Sequence, residues 1–154
     1  MDWGSLFFKF SGRINRAKYW LAALIYVVIY LVLAAVGYAT DQSVAYQAIN
    51  GMLNIVIFIS SLAVGIKRLH DRNKSGWYLL LFYIVPGILV TAAAVMYVTM
   101  DDATLTSAVL GLAAFAVGVW AFVELGCLRG TVGANRYGPD PIATVTAPPV
   151  RTPV

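Results

Sequence analysis

Residues 19–38 read YWLAALIYVVIYLVLAAVGY, an unbroken run without a charged side chain. Because an α-helix rises about 1.5 Å per residue, a run of about 20 residues crosses the roughly 30 Å of hydrocarbon in a bilayer. Three further stretches are similarly apolar and interrupted by a single acid, Glu124: residues 49–66, 77–98 and 105–128. The sequence therefore predicts four membrane-spanning helices.

Composition leads to the same class of protein. Of the 154 residues, 60% are hydrophobic and 12% are charged, more apolar surface than a soluble domain of this size can bury. We therefore predict an all-α membrane protein, a four-transmembrane-helix bundle that forms a single domain over residues 1–141. Residues 142–154 are rich in Pro and Thr, and we expect them to be a disordered tail.

The basic residues predict the orientation of the bundle. All eleven Lys and Arg residues lie before the first stretch, between the second and third, or after the fourth. The loops at 39–48 and 99–104 contain none, although Asp41, Asp101 and Asp102 occur there. Because basic flanks resist translocation, both termini and the middle loop are expected in the cytoplasm. The net charge of +4 then favours anionic lipid headgroups, and no nucleic-acid partner is expected.

Short signals suggest how the helices begin and end. A short N-terminal interfacial helix, ended by Gly12, is predicted because four apolar side chains recur at helical spacing: Trp3, Leu6, Phe7 and Phe10. Asn15 is a candidate cap for the first span and Ser75 for the third. Trp20 and Trp77 lie where aromatic residues anchor helices at the membrane interface.

Polar residues inside the spans are few. Asn50, Asn54 and Ser61 fall on one stripe of the second span, which we expect to face the bundle interior. Glu124 is a proton or cation site, an ion-pair partner for Arg68, Arg16 or Arg129, or a side chain that reaches water at the headgroups. The last span offers four small residues for close helix approach: Ser107, Gly111, Ala114 and Gly118.

The predicted cytoplasmic segments contain a dense polar cluster. The middle loop, residues 65–77, reads GIKRLHDRNKSGW, and the segment after the last span is rich in Gly and Pro, which predict tight turns. His70 and Asp71 are adjacent and so are not expected to act as a catalytic dyad. Asn135 and Asp140 are expected to bond neighbouring backbone amides. Candidate binding residues in these segments are Arg13, Arg16, Arg68, His70, Asp71, Arg72, Ser75, Asn135, Arg136 and Asp140.

Three of these segments together resemble a known family. GRINRAKYW at 12–20, RLHDRNKSGW at 68–77 and GANRYGPDP at 133–141 are similar to the hallmark segments of the domain of unknown function 805 family. Its members are small bacterial inner-membrane proteins, and the resemblance extends over about residues 3–141. It implies a multi-pass helical protein of the cytoplasmic membrane and brings no activity, cofactor or substrate with it. Glu124 lies outside the family pattern.

The preferred functional hypothesis is a non-enzymatic membrane module. Phosphate-binding loops, zinc-binding histidine pairs and serine nucleophile motifs are absent from the sequence, so no cofactor, metal or catalytic residue is predicted. In this hypothesis Arg13, Arg16 and Arg72 contact the phosphate of an anionic lipid, or a partner protein, while Asp71 and Asp140 orient them.

Three alternatives remain open at this stage. The chain could form an oligomeric channel or transporter, with Asn50, Asn54 and Ser61 lining a path and Glu124 at its cytoplasmic mouth. It could act on a lipid phosphate through His70. Finally, the cytoplasmic charges could pair with one another and serve only to hold the helices in register.

Overall fold

The computed structural model of the chain describes residues 2–100 and 104–142, and over these residues it is helical with no strand. Its helices are α1 (Trp3–Phe8), α2 (Arg16–Ala39), α3 (Val44–Asp71), α4 (Tyr78–Thr99) and α5 (Thr104–Phe122), the last extended by a π-helical turn (Val123–Cys127). Four helices are long and apolar enough to span a membrane, as predicted. Asp101, Asp102 and the predicted disordered tail beyond Ile142 lie outside the described residues.

Two of the predicted boundary signals are wrong and one is confirmed. The Asn15 side chain caps α2 by accepting a hydrogen bond from the Lys18 amide at 3.0 Å. Ser75 does not cap α4, which begins at Tyr78, because its hydroxyl accepts the Trp77 amide within a preceding turn. Gly12 does not end α1, since that helix stops at Phe8 and Gly12 lies beyond it with φ +91°.

The second span is longer than predicted. α3 continues to Asp71, so Lys67, Arg68 and His70 belong to its last turns and not to a loop. A helix of 28 residues is about 42 Å long, more than the roughly 30 Å of hydrocarbon, and its charged end can emerge from the membrane while remaining helical. Arg68 and Asp71, one turn apart, consequently share a face.

The four long helices pair as two hairpins, α2 with α3 and α4 with α5. The hairpins meet mainly at one end, here called the basic end, which carries Arg16, Arg68 and Arg129. At that end Leu79 packs over Gly65, where an added Cβ would lie 2.8 Å from the Leu79 Cδ1 atom. One buried cluster joins all four long helices there through Leu69, Leu79, Phe82 and Leu125, with Tyr19 packed against it.

α1 packs against protein as well as offering an outer face. Leu6 is buried in a second cluster with Ile14, Ala22 and Val64, so it does not reach the membrane as predicted. Trp3 and Phe10 remain exposed. The predicted close-approach role of the last span holds only for Ala114, which is buried. Among the described residues, nothing lies within 4 Å of a Cβ added at Gly111 or Gly118.

Candidate functional site

Asp71, in the last turn of α3, is the centre of the polar cluster at the basic end. Its Oδ2 atom accepts a hydrogen bond from Arg68 Nη1 at 2.5 Å. Its Oδ1 atom accepts from Arg13 Nη2 at 3.0 Å and from Arg13 Nε at 3.2 Å. The three side chains are at most 3% exposed. A buried carboxylate between two guanidinium groups is stable only when each charge is compensated, and here both oxygens have partners.

Backbone carbonyls satisfy the other donors of the two arginines. Arg13 Nη1 donates to the Gly133 carbonyl at 2.7 Å, and Arg13 Nη2 donates to the Thr131 carbonyl at 2.6 Å. Arg68 Nε donates to the Leu125 carbonyl at 2.7 Å, and Arg68 Nη2 donates to the Leu128 carbonyl. Protein oxygens therefore occupy the guanidinium of Arg13, the residue that was expected to contact a lipid phosphate.

The segment after α5 lies against the end of α3. The Thr131 amide donates to the Asp71 carbonyl at 2.8 Å, and the Asn135 side-chain amide donates to the His70 carbonyl at 2.9 Å. Gly130 passes so close to Asp71 that an added Cβ would lie 1.9 Å from Oδ2. Only glycine fits at this position without displacing the carboxylate.

His70 has a packing role in this arrangement. Its ring stacks on Tyr137, with 3.8 Å between centroids, and its Nδ1 atom lies 3.2 Å from the Gly12 carbonyl oxygen. The Arg136 guanidinium also lies over the Tyr137 ring, 4.8 Å from its centroid, and it donates to the Asn73 carbonyl at 3.0 Å. His70 and Arg136 thus hold the turn after α5 on the basic end.

Asp140 behaves as the turn chemistry predicted. Its carboxylate accepts hydrogen bonds from the Ile142 amide at 3.0 Å and the Gly133 amide at 2.9 Å. These two backbone donors, the Ile142 amide first, lower the pKa of Asp140 below its ordinary value. The carboxylate therefore stays ionised at neutral pH and closes the turn.

Glu124, in the π-helical turn, is buried and ion-paired. Its Oε1 atom lies 3.0 Å from Arg72 Nε and 3.0 Å from Lys74 Nζ. The ion pair was predicted but its partners were not: Arg68 was a candidate, and it is already committed to Asp71. Arg72 also donates to the Arg129 carbonyl at 2.7 Å, so its guanidinium is bound twice to the end of the last span.

The polar stripe of the second span has mostly local bonds. Asn54 donates to Asn50 within α3, and the Ser61 hydroxyl donates to the Phe58 carbonyl at 2.8 Å. The buried hydroxyl is that of Ser60, which lies 2.7 Å from the Tyr26 hydroxyl of α2. The sequence analysis missed Ser60. Its helical spacing from the apolar positions Ile57 and Val64, both buried, was the available signal.

A cleft of about 250 Å³ lies beside the buried cluster. Its lining residues are Asn15, Arg16, Asp71, Arg129, Gly130, Thr131, Asp140 and Ile142. Arg16 and Arg129 are exposed, and within residues 2–100 and 104–142 neither side chain forms an ion pair or a hydrogen bond. Arg129 was considered only as a partner for Glu124. Its position directly after the last span and before Gly130 was the signal that it borders the site.

The two predicted interface anchors differ in their surroundings. Trp20 packs against the π-helical turn, where its indole Nε1 donates to the Gly126 carbonyl at 3.0 Å. An added Cβ on Gly126 would lie 2.6 Å from the Trp20 ring, so the contact requires glycine. Trp77 is 77% exposed and makes no comparable bond among the described residues.

Comparison with known proteins identifies the class of this chain. No solved structure matches it. It is 28% identical over 151 residues to inner membrane protein YhaH of Escherichia coli strain K12, an alignment that covers 92% of this chain and 97% of that protein. It is 29% identical over 132 residues to inner membrane protein YhaI of the same strain, with 86% and 85% covered. With its four apolar helices, the chain is a multi-pass inner-membrane protein.

The family comparison confirms the resemblance seen in the sequence. A family model described as "Protein of unknown function (DUF805)" matches residues 7–139, and this range contains Arg16, Asp71 and Arg129. The match includes the four long helices and the segment after them as far as residue 139. This chain belongs to the DUF805 family.

Proposed function

We propose that this protein is a non-enzymatic membrane module that binds the anionic headgroup of a phospholipid in the cleft between Arg16 and Arg129. The observation that carries the proposal is the contrast among the arginines of the basic end. Arg13 and Arg68 are buried and bonded to protein oxygens, whereas Arg16 and Arg129 line an open cleft and are unpaired among the described residues.

The charge and size of the cleft suit a phosphate group. Two guanidinium groups line it, those of Arg16 and Arg129, together with the carboxylates of Asp71 and Asp140. The Asp71 carboxylate is already paired with Arg13 and Arg68, and the Asp140 carboxylate accepts two backbone amides. A water molecule takes about 30 Å³ in the liquid, so a cleft of about 250 Å³ has room for a phosphate and its hydration. Arginine binds phosphate oxygens through paired N–H donors and suits this task better than a point charge.

The buried cluster prepares this cleft for binding. Arg68 donates to the Leu125 and Leu128 carbonyls before Arg129, and Arg13 donates to the Thr131 and Gly133 carbonyls after it. The backbone on either side of Arg129 is therefore bound before any ligand arrives. A site that is ordered in advance loses less conformational entropy on binding. In this proposal the candidates Arg13, Arg68 and Asp71 act as its scaffold and do not touch lipid.

The proposal includes an orientation in the membrane. In this orientation the basic end faces the cytoplasm, because the Lys and Arg residues that flank α2, α3 and the π-helical turn lie there and basic flanks resist translocation. α1 lies at the same surface, with the exposed rings of Trp3, Phe8 and Phe10 in the headgroup region. In the proposed orientation the Arg16/Arg129 cleft lies at the depth of the lipid phosphates.

The channel alternative has less support. Asn54 donates both of its amide hydrogens to Asn50 of the same helix, and Glu124 is held by Arg72 and Lys74. Binding of a partner protein at the cleft is distinguished from lipid binding by copurification of that protein.

The test is lipid retention by the purified protein in nanodiscs of phosphatidylcholine with a minor fraction of phosphatidylglycerol. Native mass spectrometry would count phosphatidylglycerol bound to the wild type and to the double variant Arg16→Gln, Arg129→Gln. We expect selective retention by the wild type and a loss of roughly tenfold or more in the variant, since hydrogen bonds to charged groups contribute about 1.5–3 kcal/mol each.

The matched control is Lys9→Gln with Lys18→Gln, which removes the same charge from the same end but outside the cleft. Equal losses in both double variants would mean that binding is diffuse attraction to a basic surface, and the cleft proposal would be wrong. Retention unchanged in the arginine variant, with a protein copurifying only with the wild type, would replace the lipid with a partner.

A further inference from the structure

The two hairpins separate toward the end opposite the basic end. α3 touches α4 where the rings of Phe58 and Tyr83 meet edge to face, 6.1 Å between centroids, and where Tyr83 Oη lies 3.4 Å from Ser61 Oγ. Beyond these residues, no side-chain hydrogen bond or aromatic contact joins α3 to α4 in the described chain. α2 and α5 also make almost no direct contact where both are described. A gap is therefore open between the hairpins within the membrane.

The α3 side of this gap carries an unusual polar pair. Asn54 lies one turn from Phe58 and therefore faces the gap, and it is fourteen residues or about 21 Å along the axis from Arg68. Its Nδ2 group donates to the Asn50 carbonyl at 2.7 Å and to Asn50 Oδ1 at 2.8 Å, which uses both hydrogens. Among the described residues, Asn54 Oδ1 accepts from no donor and Asn50 Nδ2 donates to no acceptor.

The α4 side of the gap makes no hydrogen bond to these amides in the described chain: of the hydroxyls in its wall, that of Tyr83 lies against Ser61, and that of Thr91 bonds neither Asn50 nor Asn54. It presents an open groove of about 640 Å³ with mainly apolar walls, including Ile84, Ile88 and Val95. Lipid tails can fill such a groove, but they offer no hydrogen bond to an amide. The occupant must be apolar over most of its surface and must also carry one amide donor and one amide acceptor at the level of Asn50 and Asn54.

We propose that this occupant is the α3 helix of a second copy of the chain. Because the pair on each α3 has a free acceptor and a free donor, a twofold axis brings the Asn50 Nδ2 group of each copy to Asn54 Oδ1 of the other. Such an interface is self-complementary and closed, as homodimer contacts usually are. Interhelical amide bonds are a recognised stabilising element between membrane helices.

The local geometry permits this contact. Asn50 and Asn54 are about 6 Å apart along the helix axis. Their side chains nevertheless span this distance within one helix, where Asn54 Nδ2 lies 2.8 Å from Asn50 Oδ1. The same reach allows Asn50 of one parallel helix to meet Asn54 of another. Gly51 lies between them with nothing in the described chain within 4 Å of an added Cβ. A glycine at this point lets two helix backbones approach closely.

The first experiment measures dimerisation in bilayers by single-molecule photobleaching at graded protein-to-lipid ratios. We expect a wild-type dimer and a dissociation constant raised at least about tenfold in Asn50→Leu with Asn54→Leu. The matched control is Thr99→Val, which removes a hydroxyl bonded only within α4 and should leave the dissociation constant unchanged. A wild-type monomer at every ratio, or a dimer that both asparagine changes leave intact, would overturn the proposal.

The second experiment does not alter the asparagines. In a Cys127→Ser background, Gly51→Cys should form an intermolecular disulfide on mild oxidation, because the two copies of residue 51 lie near the axis. Met52→Cys is the matched control, since Met52 is 70% exposed and lies about 100° around the same helix. If Met52→Cys crosslinks as fast as Gly51→Cys, or if neither crosslinks, α3 is not the interface.

Discussion

Asp71 connects three parts of the chain that are far apart in sequence. Its side chain accepts from Arg13 before α2 and from Arg68 of α3, and its backbone carbonyl accepts the Thr131 amide after α5. Two guanidinium groups would be left buried without a counter-charge if this carboxylate were lost. Asp71 is therefore the counter-charge of two buried arginines, whereas the adjacent His70 contributes by packing on Tyr137.

At this scale we expect Asp71→Asn to lower the free energy of unfolding by about 3–5 kcal/mol, since removing one partner of a buried ion pair leaves uncompensated charge. Reversible unfolding in mixed micelles would measure it. Asp140→Asn is the control, because that carboxylate bonds two backbone amides and compensates no buried charge, so its loss should have a much smaller effect. Equal losses in the two variants would contradict the central role of Asp71.

At the scale of elements, one side chain of α3 binds the backbone of α1. Lys67 is 3% exposed, and its Nζ group donates to the Ser5 carbonyl at 2.6 Å and to the Leu6 carbonyl at 2.5 Å. An ammonium group at the last carbonyls of a helix is a favourable position in the helix dipole. Together with the burial of Leu6, this contact holds α1 on the α2/α3 hairpin.

We expect Lys67→Met to release α1 while leaving the four long helices in place. Methionine retains the apolar length of the side chain and removes the donor, so amides of residues 5–8 should exchange hydrogen for deuterium at least about tenfold faster. Hydrogen exchange followed by mass spectrometry measures this directly. Lys9→Met, at an exposed basic position next to α1, should leave the exchange rate unchanged. Unchanged protection in Lys67→Met would show that the burial of Leu6 is sufficient to hold α1 on the α2/α3 hairpin.

At the scale of the whole molecule, the polar clusters lie together because the four long helices run alternately up and down. The segment before α2, the α3–α4 connection and the segment after α5 therefore all reach the basic end. The connections α2–α3 and α4–α5 reach the opposite end, and the first of these contains no basic residue. This asymmetry is the physical basis of the proposed orientation.

The expected orientation is testable with single cysteines in a Cys127→Ser background. Ser11→Cys, at an exposed site before α2, should react with a membrane-impermeant maleimide only when the cytoplasmic face is open. Val44→Cys, 84% exposed at the start of α3, should react in intact spheroplasts. The reverse pattern, or labelling of both from one side, would contradict the proposed topology.

Some parts of the site could be foreseen and others could not. Asn15 was recognisable as a cap and Asp140 as a turn residue because their bonds reach only two to seven positions along the chain. The partners of Arg13 lie 58 to 125 residues away, so no local pattern separates it from Arg16. The burial of one and the exposure of the other depend on how α2, α3 and the final turn pack together.

The sequence by itself determined the four spans, their single-sided charge and the membrane as solvent, because these follow from apolar length and from the cost of moving basic residues across a bilayer. Only the tertiary structure decided which charges pair within the protein and which do not. A buried charge needs nearby partners that compensate it, and Arg13 and Arg68 are therefore bonded within the protein. Arg16 and Arg129 instead lie at an open cleft.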